Sequence, residues 1–332
     1  MSGVDKVVVI GSNSFSGASF SAYALEQGAR VFGMSRSQEA HKVFLPYRWK
    51  GNDANFSFHP YDLNHHIDEI MALIHAEKPA YVVNFAAQSM VGESWANPDH
   101  WFQTNVVSTI KLHDQLRRCD FLRRYVHVTT PEVYGTMSGF ITEDTPFNPS
   151  TPYAVSRAAA DMSLRTFFDA YDFPVVYTRA ANVYGPGQAL YRIIPRTMFY
   201  LRTGKKLGLQ GGGVSRRSFI HIRDVSSATW KIMTDGQNGE TYHISTNELV
   251  SIRELVEKIC VKMGVDFDTN VEVTADRLGK DSLYALDSNK LRNSLGWVDQ
   301  ISLDAGLDEC LSWIDGNLDV LRQQPSDYIH KP

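Results

Sequence analysis

Short, β-branched apolar runs alternate with longer amphipathic stretches through the first 180 residues. Val7-Val-Val-Ile10 is continuously apolar and stops at Gly11. A run of that kind reads as a strand buried on both faces, the habit of a parallel sheet. Runs starting at Arg30, Phe56, Tyr81, Tyr125 and Val175 repeat the pattern. Between them, the stretches 18–27, 67–77, 105–118 and 151–171 carry apolar residues at helical spacing. Gly28 closes the first of these as a residue just past a helix end does. Strand and helix alternating at this spacing predict an α/β protein with a right-handed, doubly wound parallel sheet.

Beyond Asn182 the pattern changes. A helical segment is expected over 191–203, a turn at Gly211-Gly-Gly213 and a short strand over 216–222. A helix over 225–234, a strand over 242–245, an amphipathic helix over 252–263 and a short helix ending at Leu295-Gly-Trp297 follow.

Composition narrows the function classes. The chain has 332 residues, 43% hydrophobic and 21% charged, with a net charge of −4. That length calls for one large or two interlocked domains. The charge offers no broad basic field for nucleic acid or a membrane surface. Val7–Ile10 is too short for a signal segment or a membrane span. Cys119, Cys260 and Cys310 are odd in number and far apart, which fits a reducing cytosol. His65 and His66 are adjacent and point apart, so no metal site is expected.

Candidate chemistry lies at the ends of the predicted strands. Gly11-Ser-Asn-Ser-Phe-Ser-Gly17 joins a strand to a helix, the arrangement that aims free N–H groups at a phosphate. Arg36 follows the second strand, where an arginine suits the 2′-phosphate of NADP and an acid would suit NAD. NADP is thereby favoured over NAD. Asp62 is placed to accept from an adenine amino group, and the small residues of Ala86-Ala-Gln-Ser89 let a flat cofactor lie on backbone. Thr130 and Glu132 follow the fifth strand, over the crevice where such sheets bind ligands. Tyr153 and Arg157 are four residues apart on one helix face. The cation lowers the cost of ionising the phenol, so Tyr153 is a candidate acid or base near neutral pH. Arg192, Arg217 and Arg277 are candidates for a diphosphate.

Taken in order, these pieces resemble the extended short-chain dehydrogenase/reductase superfamily over nearly the whole chain. The resemblance rests on the glycine turn, Asn84-Phe-Ala-Ala-Gln-Ser89, Asn105-Val106, Thr130-Pro-Glu-Val-Tyr-Gly135 and Ser150-Thr-Pro-Tyr153. It continues through Arg179-Ala-Ala-Asn-Val-Tyr-Gly-Pro186, Arg217-Ser-Phe-Ile-His-Ile-Arg-Asp224 and Asp287-Ser-Asn-Lys-Leu291. Within that superfamily the chain is most similar to nucleotide-diphosphate-sugar 4,6-dehydratases of the GDP-mannose and dTDP-glucose branches.

The resemblance implies a Rossmann-type NAD(P)-binding domain over residues 1–182, rejoined by a strand and helix around 220–246. It implies a smaller α/β domain over 183–332 for the nucleotide sugar. Gly11, Ser14, Phe15, Gly17, Arg36, Asp62, Leu63, Ala86 and Ala87 are expected to line the dinucleotide, with Tyr153 and Arg157. Thr130, Glu132, Tyr153 and Arg157 are the expected catalytic set. Gln88, Asn182, Arg192, Arg217 and Arg277 are expected on the substrate, and a homodimer is expected through the helices at 105–118 and 153–171.

Three positions depart from the family pattern: Arg157 stands for lysine, Ser14 for glycine, and Pro131 for the acid of the dTDP-glucose branch. A 4-epimerase or 4-ketoreductase, which does not need Glu132 as a base, and a dinucleotide-binding sensor without turnover remain as alternatives.

Overall fold

The computed structural model describes residues 5–52, 54–136, 139–275 and 285–331. Seven parallel strands form one sheet, in the order Thr241–Ile244, Val175–Ala180, Arg124–Val128, Tyr81–Asn84, Lys6–Ile10, Arg30–Met34, Phe56–His59. Val8 lies opposite Phe32 on one side and Val82 on the other. The chain first winds outward to the third strand. It then returns to the far side of the first strand and winds the other way. The reversal falls between Lys6–Ile10 and Tyr81–Asn84, and that is where such sheets open a crevice at their carboxyl ends.

The continuous apolar runs are explained by burial on both faces. Val7, Val9, Val31, Val83 and Val126 meet Phe20 and Ala24 of helix Phe15–Glu26 and Ile232 and Met233 of helix Ile222–Asp235. Val8, Ile10, Phe32, Val82 and Tyr125 face the other way. They pack on Ile70 and Ile74 of helix Ile67–Glu77, Leu112 and Leu116 of helix Thr109–Leu116, and Leu164 of helix Pro152–Tyr171. A separate core joins Met198, Leu255, Ile259, Leu307 and Ile314, from helices Ile193–Arg202, Ile252–Met263 and Leu303–Gly316.

Several boundaries differ from the sequence pattern, each for a local reason. Helix Phe15–Glu26 starts three residues earlier than its apolar spacing suggests, because Ser14 caps it. The segment expected as one strand over 216–222 is two. Arg216–Arg217 pairs antiparallel with Val250–Ser251, and Phe219–His221 pairs parallel with Asn182–Tyr184. Ile222 already belongs to the next helix, since His221 Nδ1 accepts from the N–H of Arg223 and caps it there. The helix expected over 105–118 begins with a π-helical turn, Gln103–Ser108. Helix Leu303–Gly316, capped by Ser302, lies beyond the elements expected from the pattern. No helix among the described residues is long and apolar enough to cross a membrane.

Candidate active site

The crevice begins at the glycine turn, where two positions are defined by the lack of a side chain. Gly11 has φ +88°, and a Cβ there would lie 2.7 Å from the backbone nitrogen of Ala86. A Cβ on Gly17 would lie 2.2 Å from the carbonyl oxygen of Gly11. The middle position needs no glycine. Ser14 is extended, at φ −72° and ψ 156°. Its hydroxyl donates to Gly11 O at 2.7 Å and accepts from Gly17 N–H at 3.0 Å. The serine therefore serves as the helix cap that its residue type favours. No acidic residue occupies the first turn of that helix, so its positive end stays available to an anion. A close-approach backbone and an unneutralised helix start fit a dinucleotide pyrophosphate.

Asn13 ties this turn to the end of the second strand. Its N–H donates to Ser35 Oγ at 2.9 Å, and its amide donates to the carbonyls of Ser37 and Gln38, each at 3.0 Å. Arg36, held between these contacts, is exposed and donates from Nη1 to the Lys331 carbonyl at 3.0 Å. The Asp62 carboxylate accepts from Asn64 N–H at 2.7 Å, and Leu63 is buried beside it. Ala86 N–H donates to Asn84 Oδ1 at 2.9 Å, which bends the chain across Gly11. Ala87 is half-buried next to it. Gln88 is buried. Asn105 holds its backbone on both sides, accepting its N–H at 2.8 Å and donating to its carbonyl at 3.0 Å. Asn105 also donates to Ser156 Oγ at 3.0 Å, linking this loop to the tyrosine helix.

Helix Pro152–Tyr171 is built to start where it does. Thr151 accepts from Ala154 N–H at 3.1 Å, and Pro152 occupies the first turn, where its missing N–H costs nothing. Tyr153, Arg157 and Asp161 then fall on one buried face. The Thr130 side chain acts on the Tyr153 hydroxyl. Thr130 also caps the short turn Pro131–Tyr134 by accepting from Glu132 N–H at 3.2 Å. Burial pushes the Tyr153 phenol above its ordinary value. Arg157, the Thr130 side chain and Arg192 pull it down, and Glu132 pushes it up. Burial wins over the cation that the i, i+4 spacing promised. Thr130, Glu132, Arg157 and Arg192 thus all bear on the Tyr153 phenol.

Arg157 is 2% exposed, and its Nη2 donates to the Val128 carbonyl at the strand end. Behind it lies a cluster that the sequence pattern did not single out. Asp161 accepts from Arg179 Nη2 at 2.8 Å and from Thr129 Oγ1 at 3.1 Å, with His127 Nε2 at 3.3 Å. Arg179 Nη1 donates to the Tyr134 hydroxyl at 2.5 Å, which in turn meets His243 Nε2 at 2.7 Å. Burial raises the Asp161 carboxyl, but His127 and the two arginines more than reverse this and hold it at about 2. Burial lowers His127. The signal available in the sequence was polar residues at positions 127, 179 and 243 of otherwise apolar strands.

On the far side of the crevice, Asn182 pairs opposite Phe219 and its amide donates to Ser218 O at 3.2 Å, next to Arg217. Arg217 donates to the Arg216 carbonyl at 2.8 Å. Arg192 precedes helix Ile193–Arg202, with its guanidinium 5.3 Å from the ring centroid of Tyr191. Arg277 lies outside the described residues.

Residues 8–310 match the family described as GDP-mannose 4,6 dehydratase. The dTDP-glucose 4,6-dehydratase of Xanthomonas campestris is 31% identical over 326 residues, 92% of this chain and 92% of its own. That of Mycolicibacterium smegmatis is 36% identical over 245 residues, 71% of this chain and 72% of its own. Among solved structures, DesIV of Streptomyces venezuelae, a dTDP-glucose 4,6-dehydratase with NAD bound, superposes with a TM-score of 0.87 at 30% identity. That match covers 95% of this chain and 98% of the other.

Proposed function

The chain belongs to the GDP-mannose 4,6-dehydratase family, and we propose that it converts a nucleotide-diphosphate sugar to its 4-keto-6-deoxy form. The observation that carries this reading is that Thr130, which accepts from Glu132 N–H at 3.2 Å, and Glu132 itself both act on the buried phenol of Tyr153. A bound nicotinamide dinucleotide supplies the acceptor, and then the donor, of one hydride moved from C4 to C6 of the sugar. Thr130 holds the 4-oxygen, and Tyr153 takes its proton. The new ketone acidifies C5, and Glu132 takes the proton there. Pro131 has no proton to give, so Glu132 passes the C5 proton on to the departing C6 hydroxyl, which leaves as water. As the hydride returns to C6, C5 takes back one proton, balancing the one Tyr153 removed from the 4-hydroxyl. Arg157 keeps a positive charge beside Tyr153 and lowers the cost of the phenolate. Asn182, Arg192, Arg217 and Arg277 are assigned to the nucleotide diphosphate, which arginine forks suit. NAD, the cofactor held by DesIV, is taken as the cofactor, and Arg36 is the residue that would admit NADP.

Glu132→Gln tests the reading. Loss of a general acid–base group costs roughly a hundredfold to ten-thousandfold in rate. Formation of the 6-deoxy product, followed by mass spectrometry across a panel of nucleotide sugars, should fall by that much while oxidation at C4 persists. Unchanged 6-deoxy product removes Glu132 from the role and favours an epimerase or ketoreductase. No keto sugar from the unmodified protein, despite dinucleotide binding, favours the sensor.

The working unit is proposed to be a homodimer in the cytosol. Val155 and Met162 are exposed seven residues apart on helix Pro152–Tyr171, Met162 by 62%, and Val107 is exposed on the neighbouring turn Gln103–Ser108. An apolar face on adjacent helices is a surface for a second copy. Light scattering should give twice the chain mass, and Met162→Glu should give the monomer. A monomer before substitution rules the dimer out. All three cysteines are buried and unpaired, which suits a reducing compartment.

A further inference from the structure

We infer that the carboxy-terminal segment 326–331 is a specificity element for the cofactor: it draws Arg36 onto the chain's own backbone and so selects NAD over NADP. The inference rests on the dinucleotide reading of the glycine turn.

The segment crosses the molecule along a defined line of contacts. Asp327 pairs with Arg196 of helix Ile193–Arg202 at 2.8 Å. The Tyr328 ring meets Tyr191 edge-on, with centroids 5.4 Å apart. His330 then stacks on Trp101, at 5.2 Å and 17°, and on His100, at 5.3 Å and 12°. It also shares a hydrogen bond of 2.9 Å with His100 Nδ1. Trp101 is fully buried, so this stack anchors the segment to the sheet half of the protein. The line ends at the Lys331 carbonyl, which accepts from Gln88 Nε2 at 2.8 Å and from Arg36 Nη1 at 3.0 Å.

Those last two donors fix where the carbonyl sits. Arg36 follows the strand Arg30–Met34, and Gln88 follows the strand Tyr81–Asn84. In the sheet, Lys6–Ile10 lies between them. A single oxygen within reach of both side chains therefore bridges the end of the first strand, where the glycine turn begins. Gln88 is 2% exposed, so the bond it makes there is made away from water. Both lone pairs of the carbonyl are used.

The chemical consequence concerns the ribose. A 2′-phosphate brings negative charge and acceptor oxygens and binds through an arginine in this place. With Nη1 of Arg36 on a neutral carbonyl, a phosphate gains the full fork of the guanidinium only by displacing that bond. A 2′-hydroxyl makes no such demand. The position that reads from sequence as an NADP arginine is thus occupied by a segment nearly 300 residues away, at a separation of 295.

The test compares the full chain with a chain ended at Gln324 and with His330→Ala, which removes the anchor without shortening the chain. Dissociation constants for NAD and NADP are measured by calorimetry on each. One charge-assisted hydrogen bond is worth roughly tenfold to a hundredfold in affinity. Ending the chain at Gln324 should improve NADP binding relative to NAD by that factor, and His330→Ala should move the ratio the same way by less. Adding Arg36→Ala to the shortened chain should abolish the gain. An unchanged ratio overturns the inference, as does an equal gain for both nucleotides or a full chain that already prefers NADP. Binding of neither nucleotide to any of the three overturns the dinucleotide reading itself.

Discussion

The two ends of the crevice are held in place by opposite means. At the glycine turn, geometry is set by atoms that are missing: no Cβ fits on Gly11 against Ala86 or on Gly17 against Gly11. At the Tyr153 end, geometry is set by buried charges brought from separate elements. Asp161 comes from a helix, His127 and Arg179 from adjacent strands, and Arg157 from one turn earlier on the same helix. The first device is cheap and local, and tolerates only changes that leave the backbone path free. The second is costly to assemble, because each charge is taken from water and repaid only if all partners are present.

The charged end should therefore give the largest effect when broken. Asp161→Asn leaves Arg157 and Arg179 without their buried counter-charge, and loss of one partner from such a cluster costs about 3–5 kcal/mol. Denaturant unfolding should show a drop of that size, with a pH signature. The carboxyl is held at about 2, below the ordinary 3.8, so the folded state binds the proton less readily than the unfolded chain. Its contribution is complete above pH 4 and is lost as pH falls through the folded value. For this one group the loss amounts to about 2 kcal/mol. Asp161→Asn should flatten that part of the acid limb. A cost under about 1 kcal/mol, with the acid limb unchanged, would mean the cluster is not what holds this end.

The glycine end should respond less in stability and more in binding. Gly17→Ala sets a Cβ 2.2 Å from the Gly11 carbonyl, backbone against backbone, so the turn itself must shift. Overpacking of this kind costs about 1–3 kcal/mol. Since the shift lies in the turn that faces the phosphate, dinucleotide affinity should fall at least tenfold while the thermal transition drops by less than in Asp161→Asn. Equal losses in stability from Gly17→Ala and Asp161→Asn would erase the distinction between the two ends.

That distinction also explains what could be read from sequence. The parallel sheet was legible because Val7–Ile10 and its counterparts are apolar on both faces, and the structure buries them on both faces. The glycine turn was legible because its requirement is contained in seven consecutive residues. The Tyr153–Arg157 spacing was legible for the same reason. Its consequence was not, because the burial that outweighs Arg157 comes from the whole fold. The Asp161 cluster was hidden in the same way: Tyr134 and His243 meet across 109 residues. The bond from Arg36 to Lys331 lay further still from any local pattern. Early helix starts at Phe15 and Ile222 were missed because the caps, Ser14 and His221, look like loop residues until their hydrogen bonds are seen.

The smallest effect is expected inside the glycine turn itself, at Ser14. It stands at the position where the family has glycine, yet its backbone is ordinary, so nothing in the turn requires glycine there. Its hydroxyl instead takes the Gly17 N–H at 3.0 Å, a donor that otherwise belongs to the anion-facing end of the helix. Ser14→Gly removes the cap, and replacing a capping side chain by glycine costs only a few tenths of a kcal/mol, roughly. The same change frees the N–H, so the dinucleotide should bind equally well or slightly tighter, within about threefold. A calorimetric titration of this variant beside the unmodified chain measures both sides of that balance. A large loss of affinity would show that the serine hydroxyl itself contacts the ligand. The glycine turn would then depend on a polar side chain as well as on missing atoms, and the contrast with the Asp161 end would narrow.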